Sequence, residues 1–140
     1  MNMSGYQFRS NGYGRRCSTH VPSNLWSQAF GAFNLVPSQI EPLFGNFIGN
    51  HYLDGAHTHE HTDPAPRGFE HVRCNVMLKK PQSGGNPVID GEEFEVFEKS
   101  LWLCVASKEQ HASTPIKGGE RLIFSFGALV ETNQVERLLA

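Results

Sequence analysis

The sequence predicts a mainly β chain whose strands close as an antiparallel sandwich or barrel. Two observations predict it. From residue 47 onward, short apolar runs alternate with clusters of Gly, Pro, Asn and Asp, the signature of many short strands joined by tight turns. Two of these runs alternate side chains with a period of two, which puts one set on each face of a strand. The chain has 140 residues and 39% hydrophobic content, which suits one domain with a packed core.

Residues 1–20 are rich in Gly, Ser, Tyr and Arg, and Arg9, Arg15 and Arg16 have no acidic neighbour there. They read as a flexible or irregular N-terminal arm, a mobile tail or an irregular first strand, ahead of a small anion- or RNA-binding arm. Residues 21–140 read as a single domain. Pro22-Ser23 opens a short helix through Leu25, Trp26, Ala29 and Phe30, with Ser23 as its N-cap. Ser38-Gln39-Ile40-Glu41 has the spacing of a capping box, and Pro42 keeps any helix there short. Strands are expected at 47–53, 72–78, 94–97, 101–106 and 121–126. Turn signals separate them at Asp54-Gly55, Ser83-Gly84-Gly85-Asn86-Pro87, Asp90-Gly91 and Lys117-Gly118-Gly119.

Within 72–78, one face carries Val72, Cys74, Val76 and Leu78, and the other carries Arg73, Asn75 and Met77. In the last run Leu122, Phe124 and Phe126 face one way, and Arg121, Ile123 and Ser125 the other. A barrel with one apolar layer and a partly polar interior produces both patterns, and a ligand belongs in that interior. Trp102 is expected in the core, and Cys74 and Cys104 as buried small hydrophobes.

Composition excludes several classes. A net charge of -2 gives no general pull towards nucleic acid. No apolar run approaches the roughly 20 residues of a membrane helix. The first residues carry no hydrophobic signal segment, so a cytoplasmic location is expected. Cys17, Cys74 and Cys104 show neither a disulfide framework nor a zinc pattern. Seven histidines remain to be explained, four of them (His51, His57, His59 and His61) within eleven residues.

His61-Thr62-Asp63 is an H-x-D pair. In extended backbone, residues two apart project to the same side, so an imidazole and a carboxylate reach one ion together. Two imidazoles and one carboxylate form the facial triad of non-haem iron(II), with open adjacent positions. Seven His and three Asp in 140 residues give about 0.15 such pairs by chance, so the surroundings must carry the case. Those surroundings are Asn50-His51-Tyr52-Leu53-Asp54-Gly55 upstream, and His111 followed after nine residues by Arg121 downstream.

The N-x-Y-x-x-G-x5-H-x-D string and the H-x9-R spacing resemble the iron(II)/2-oxoglutarate-dependent oxygenase superfamily, particularly its prolyl-hydroxylase-like branch. The resemblance covers roughly residues 47–127. It implies a double-stranded β-helix (a jelly-roll or cupin-like barrel) with one or two short N-terminal helices. It implies His61, Asp63 and His111 as the iron ligands and catalytic centre. It also implies a 2-oxoglutarate site of Arg121, Ser125, Tyr52, Asn50 and Asn75. Arginine suits the far carboxylate because its planar fork makes two parallel hydrogen bonds. Lys117-Gly118-Gly119 can fold the intervening segment as a hairpin, bringing residues near 111 beside residues near 121. Iron(II), 2-oxoglutarate, dioxygen and ascorbate as reductant are the implied cofactors. The implied reaction hydroxylates a peptidyl or small amino-acid-like substrate and yields succinate and carbon dioxide. Retention of Asp63 disfavours the halogenases, which lack that carboxylate so that chloride can bind. Neither a membrane nor nucleic acid is an expected partner.

The histidine run allows a second register. His57-Thr58-His59 or His59-Glu60-His61 resembles the H-x-H of a cupin, a metalloprotein that uses no 2-oxoglutarate and draws on His57, His59, His61 and His111. The segment before His111 lacks the P-x-G that cupins place there, so the oxygenase register is favoured. Many oxygenases place a tyrosine where Met77 stands. Either Tyr52 substitutes for it or this strand is displaced in register. Arg73 reads equally as a recognition group and as a structural ion pair. His20, His51 and His71 read as structural or exposed.

Overall fold

The computed structural model describes residues 7–8, 14–20, 23–40 and 46–140. Arg9, Glu41 and Pro42 lie outside these residues, as do the side chains of Arg15, Arg16, Cys17, His20 and Ser23. The elements run β1 (Gln7–Phe8), β2 (Gly14–His20), α1 (Ser23–Gly31), β3 (Asn46–Tyr52), β4 (Phe69–Lys79), β5 (Pro87–Ile89), β6 (Glu92–Glu93), β7 (Leu101–Val105), β8 (His111–Ser113), β9 (Arg121–Glu131) and α2 (Thr132–Leu139).

The strands form two antiparallel sheets. The larger has the order β1-β2-β3-β9-β4-β7 and the smaller β6-β5-β8. Sequence-distant strands pair at the centre: β9 lies between β3 and β4, in the register Asn50↔Ile123 and Asn75↔Ser125. This is the mainly β, double-stranded β-helix layout. Residues 14–20, read as part of the arm, form a regular strand along all of β3.

The period-two patterns come out as the two faces of the larger sheet. Val72 and Cys74 of β4 and Phe126, Ala128 and Val130 of β9 face a core closed by Trp26, Phe30 and Leu35 from α1 and its exit, and by Val135 of α2. Burying a side chain such as Phe30 is worth about 1.5–3 kcal/mol. The Trp26 indole donates to the Gly127 carbonyl at 2.8 Å, so its polar atom is also satisfied. The opposite face of the sheet carries Arg73, Asn75, Arg121, Ile123 and Ser125 towards a cavity.

Several expectations need correction. The 94–97 run is not a strand. The strand there is Glu92–Glu93, and Phe94 and Phe97 are exposed. The apolar alternation of β4 breaks after Met77, where a bulge shifts the register to Lys79 and leaves Leu78 exposed. The expected N-terminal helix is α1, and a second helix, α2, closes the chain at its C-terminal end. Residues 35–40 are irregular, so no helix starts at Ser38 within the described residues. β8 and β9 do not pair as a hairpin. They belong to different sheets. The chain instead lays residues 114–118 against 82–86, through Ser83↔Lys117 and the Gly85 amide on the Thr114 carbonyl at 3.0 Å.

Candidate metal and anion site

The cavity lies between the sheets and has a volume of about 280 Å3. His111 starts β8 of the smaller sheet, and His61 sits in the connection between β3 and β4. The two residues exchange backbone hydrogen bonds, His61 amide to His111 carbonyl at 3.1 Å and the reverse at 2.9 Å. The Asp63 amide is held by the Ala106 carbonyl at 2.7 Å. These backbone bonds hold His61 and Asp63 beside His111, some fifty positions later in the sequence.

His61, Asp63 and His111 offer ligand atoms that all lie within 4.8 Å of one another. His61 Nε2 is 3.5 Å from Asp63 Oδ1, and His111 Nε2 is 3.9 Å from Asp63 Oδ2. The remaining ring nitrogens are committed. His61 Nδ1 donates to the His59 carbonyl at 2.7 Å, and His111 Nδ1 to the Glu109 carbonyl at 3.0 Å. A carbonyl only accepts, so Nδ1 carries the hydrogen, and in the neutral ring Nε2 keeps its lone pair for a metal. Two imidazole lone pairs and one carboxylate oxygen are a donor set that fits iron(II).

His71 joins this centre. It is only 6% exposed, with Nδ1 3.7 Å from Asp63 Oδ2. Burial, and then Arg73, push its pKa down from 6.5 to about 4. It is neutral near pH 7. Its Nε2 is buried without a hydrogen-bond partner among the described residues. His71, read as structural or exposed rather than as a ligand, is buried beside Asp63 and stands outside the metal-capable group. The available signal was parity, because His71 lies on the same strand face as Arg73 and Asn75.

Arg121 begins β9 and is 5% exposed. Its Nε donates to the Gly85 carbonyl at 2.8 Å, and the guanidinium lies 5.5 Å from the Tyr52 ring centroid. Among the described residues no carboxylate pairs with it. Burial pushes its pKa down from 12.5 to about 10. A buried guanidinium without a carboxylate partner among the described residues has the chemistry to accept an anion. The Ser83-Gly84-Gly85 turn builds this environment. A Cβ on Gly84 would strike the Pro115 carbonyl oxygen, and one on Gly85 would lie 3.0 Å from Arg121 Cδ.

Tyr52, Asn50, Asn75 and Ser125 all line the cavity. The Tyr52 hydroxyl shares a hydrogen bond with Thr58 Oγ1 at 3.0 Å. Asn50 and Asn75 make no hydrogen bond through their side chains among the described residues, so their amides are open to a ligand. Trp102 is half-buried and also lines the cavity, where it packs on Met77, Val96 and Ile123. Met77 is fully buried in that cluster, and Tyr52 is the cavity's tyrosine. Cys104 lines the cavity while Cys74 lies in the core, and burial raises both thiols to about 12. His57 and His59 touch each other with ring centroids 4.5 Å apart and do not line the cavity.

No protein-family model matches the sequence. No curated protein matches it either. Solved structures do match the fold. A Pseudomonas putida prolyl-4-hydroxylase superposes over 90% of this chain and 77% of its own, with a TM-score of 0.58 and 15% identity. The Cnp3 cupin domain of Schizosaccharomyces pombe covers 95% of this chain and 73% of its own, with a TM-score of 0.59 and 10% identity. KdgF from Halomonas sp. covers 89% and 86%, with a TM-score of 0.55 and 12% identity. The chain has the double-stranded β-helix fold that oxygenases and cupins share. No helix among the described residues is long and apolar enough to cross a membrane.

Proposed function

We propose that this protein is an iron(II)- and 2-oxoglutarate-dependent hydroxylase acting on a peptidyl or small amino-acid-like substrate. The observation that carries the reading is the pairing, in one cavity, of a His61–Asp63–His111 donor set with a buried arginine that lacks a counter-charge. A cupin-like metalloprotein would draw on His57 or His59. Among the described residues, the metal-capable group instead includes Asp63 and excludes both.

His61, Asp63 and His111 would hold the iron, each imidazole aimed by a backbone carbonyl two residues earlier. Iron(II) with 2-oxoglutarate and dioxygen supplies an oxidant that hydroxylates a C–H bond and leaves succinate and carbon dioxide. Arg121 has two terminal nitrogens left for the far carboxylate once Nε is spent on Gly85. Tyr52 stacks under that guanidinium and supports its orientation. Ser125, Asn50 and Asn75 supply neutral hydrogen bonds along the cosubstrate. Ile48, Ile89 and Trp102 give the cavity apolar wall that excludes water.

The test is anaerobic addition of iron(II) and 2-oxoglutarate to the purified protein, read as a weak visible charge-transfer band. Calorimetry of 2-oxoglutarate on the zinc-loaded protein gives a second readout without turnover. Metal-loaded protein that takes up no 2-oxoglutarate would falsify the assignment.

A further inference from the structure

The short connection from β7 to β8 touches every member of the metal-capable group. The Ala106 carbonyl accepts the Asp63 amide at 2.7 Å, and the Glu109 carbonyl accepts the His111 Nδ1 hydrogen at 3.0 Å. His111 in turn bridges to His61 through the backbone. Whatever holds this turn therefore holds the site.

The turn is clamped on both flanks. On the β4 side, the Ser107 hydroxyl donates to Glu70 at 2.5 Å and accepts the His71 amide at 2.9 Å. On the other, the Asp90 carboxylate accepts the Gln110 amide at 2.9 Å, and the Asp90 amide donates to the Gln110 carbonyl at 2.8 Å. Between these clamps lies Glu109, whose carbonyl must aim at His111.

Glu109 sets that aim with its own side chain. Its Oε2 accepts the Val105 amide at 2.7 Å, while its amide donates to the Val105 carbonyl at 2.8 Å. Val105 is 2% exposed and ends the outermost strand of the larger sheet. A buried amide without a partner is costly, so this one draws the carboxylate in. Tied to Val105 at two points, Glu109 cannot turn its carbonyl away from His111. A carbonyl only accepts, so His111 keeps its hydrogen on Nδ1 and presents the Nε2 lone pair on the side of Asp63.

We propose that Glu109 is a positioning residue of the metal centre, its carboxylate acting through its own main-chain carbonyl to hold His111 in the metal-binding tautomer. This rests on the metal reading of His61, Asp63 and His111. The first measurement is long-range proton–nitrogen NMR of the metal-free protein, which reports the tautomer of each imidazole. Wild-type His111 carries its hydrogen on Nδ1. Glu109→Ala keeps the carbonyl but frees it, and His111 becomes a mixture of tautomers. His61 is the internal control, since the His59 carbonyl that holds it lies outside the turn. Its tautomer stays fixed. The second measurement is zinc affinity by competition with a chromophoric chelator, which falls about tenfold or more in Glu109→Ala. Glu109→Gln removes the charge but keeps an acceptor for Val105, and its zinc affinity stays within about twofold of wild type. Glu109→Met, of similar length and with no acceptor, replaces the alanine variant should that one not fold. An unchanged His111 tautomer in the variants without the acceptor overturns the proposal. So does Glu109→Gln protein as weak as Glu109→Ala, which leaves Glu109 as no more than a nearby charge. Equal disturbance of His61 and His111 also overturns it and leaves Glu109 a general folding role. Wild-type protein that holds no zinc fails the metal reading, while the His111 tautomer in the metal-free protein still decides the part of Glu109.

Discussion

Replacing Arg121 with methionine should weaken 2-oxoglutarate and leave the apo protein no less stable. Methionine has comparable length and no charge. Folding carries this guanidinium to a place where its pKa falls from 12.5 to about 10. At about 1.36 kcal/mol per pKa unit, the native state bears about 3 kcal/mol for keeping the group charged. Methionine removes that cost. It also removes the Nε bond to the buried Gly85 carbonyl, which returns about 1–3 kcal/mol against stability. The net effect lies between no change and a gain of about 2 kcal/mol. Ligand binding moves the other way, since a charge-assisted carboxylate pair is worth about 1.5–3 kcal/mol, or roughly 10- to 150-fold in affinity. Urea unfolding of the metal-free protein reads the first effect, and calorimetry with 2-oxoglutarate reads the second. Unchanged 2-oxoglutarate affinity would refute the anion-site assignment. A stability loss above about 2 kcal/mol would refute the account of the buried charge.

Three further outcomes follow from particular contacts. Gly85→Ala forces a Cβ at φ +72 to within 3.0 Å of Arg121 Cδ, so about 1–2 kcal/mol of stability should be lost and 2-oxoglutarate should bind more weakly. Metal affinity should hold, and an unmoved 2-oxoglutarate constant in that variant would show that Gly85 does not position Arg121. His59→Ala keeps the carbonyl that orients His61, so metal affinity should stay within about twofold; loss of the metal on dialysis would favour the cupin ligand set. His71 has a folded pKa of about 4 against 6.5, so from pH 6.5 down to about 4 the unfolded chain binds the extra proton. Its stability contribution is complete above pH 6.5 and declines as pH falls through that window, by about 2 kcal/mol at pH 5. Denaturation of metal-free wild type and His71→Gln at pH 7 and 5 checks it, and parallel pH dependences in the two proteins would count against it.

Much of this architecture was legible because the longer strands expose one face to a core and the other to a cavity. The β4 and β9 patterns placed Arg73, Asn75, Arg121 and Ser125 on one side before any coordinates. Three-residue strands such as β5 and β8 are too short to show a period, and so they were missed. The sequence pattern marks the last strand only over 121–126. In the fold, β9 runs on to Glu131, and Gly127 is the space that Arg73 fills. α2 buries only Val135, so its apolar stripe was too thin to register. The H-x-D and H-x9-R spacings located His61, Asp63, His111 and Arg121, but not the route between the last two. Glycines at 118 and 119 suggested a hairpin, whereas the jelly-roll path sends the chain from one sheet to the other.

The β3–β4 connection has no regular structure of its own beyond the bridge at His61. An ion shared by His61, Asp63 and His111 would act there as a removable cross-link. It would join the segment to the smaller sheet and close a loop of some fifty residues, with an entropic gain that grows only slowly with loop length. Metal supply would then govern how often this segment opens. A chain deprived of such an ion would present residues 53–68 to proteases first, coupling its lifetime in the cell to metal supply.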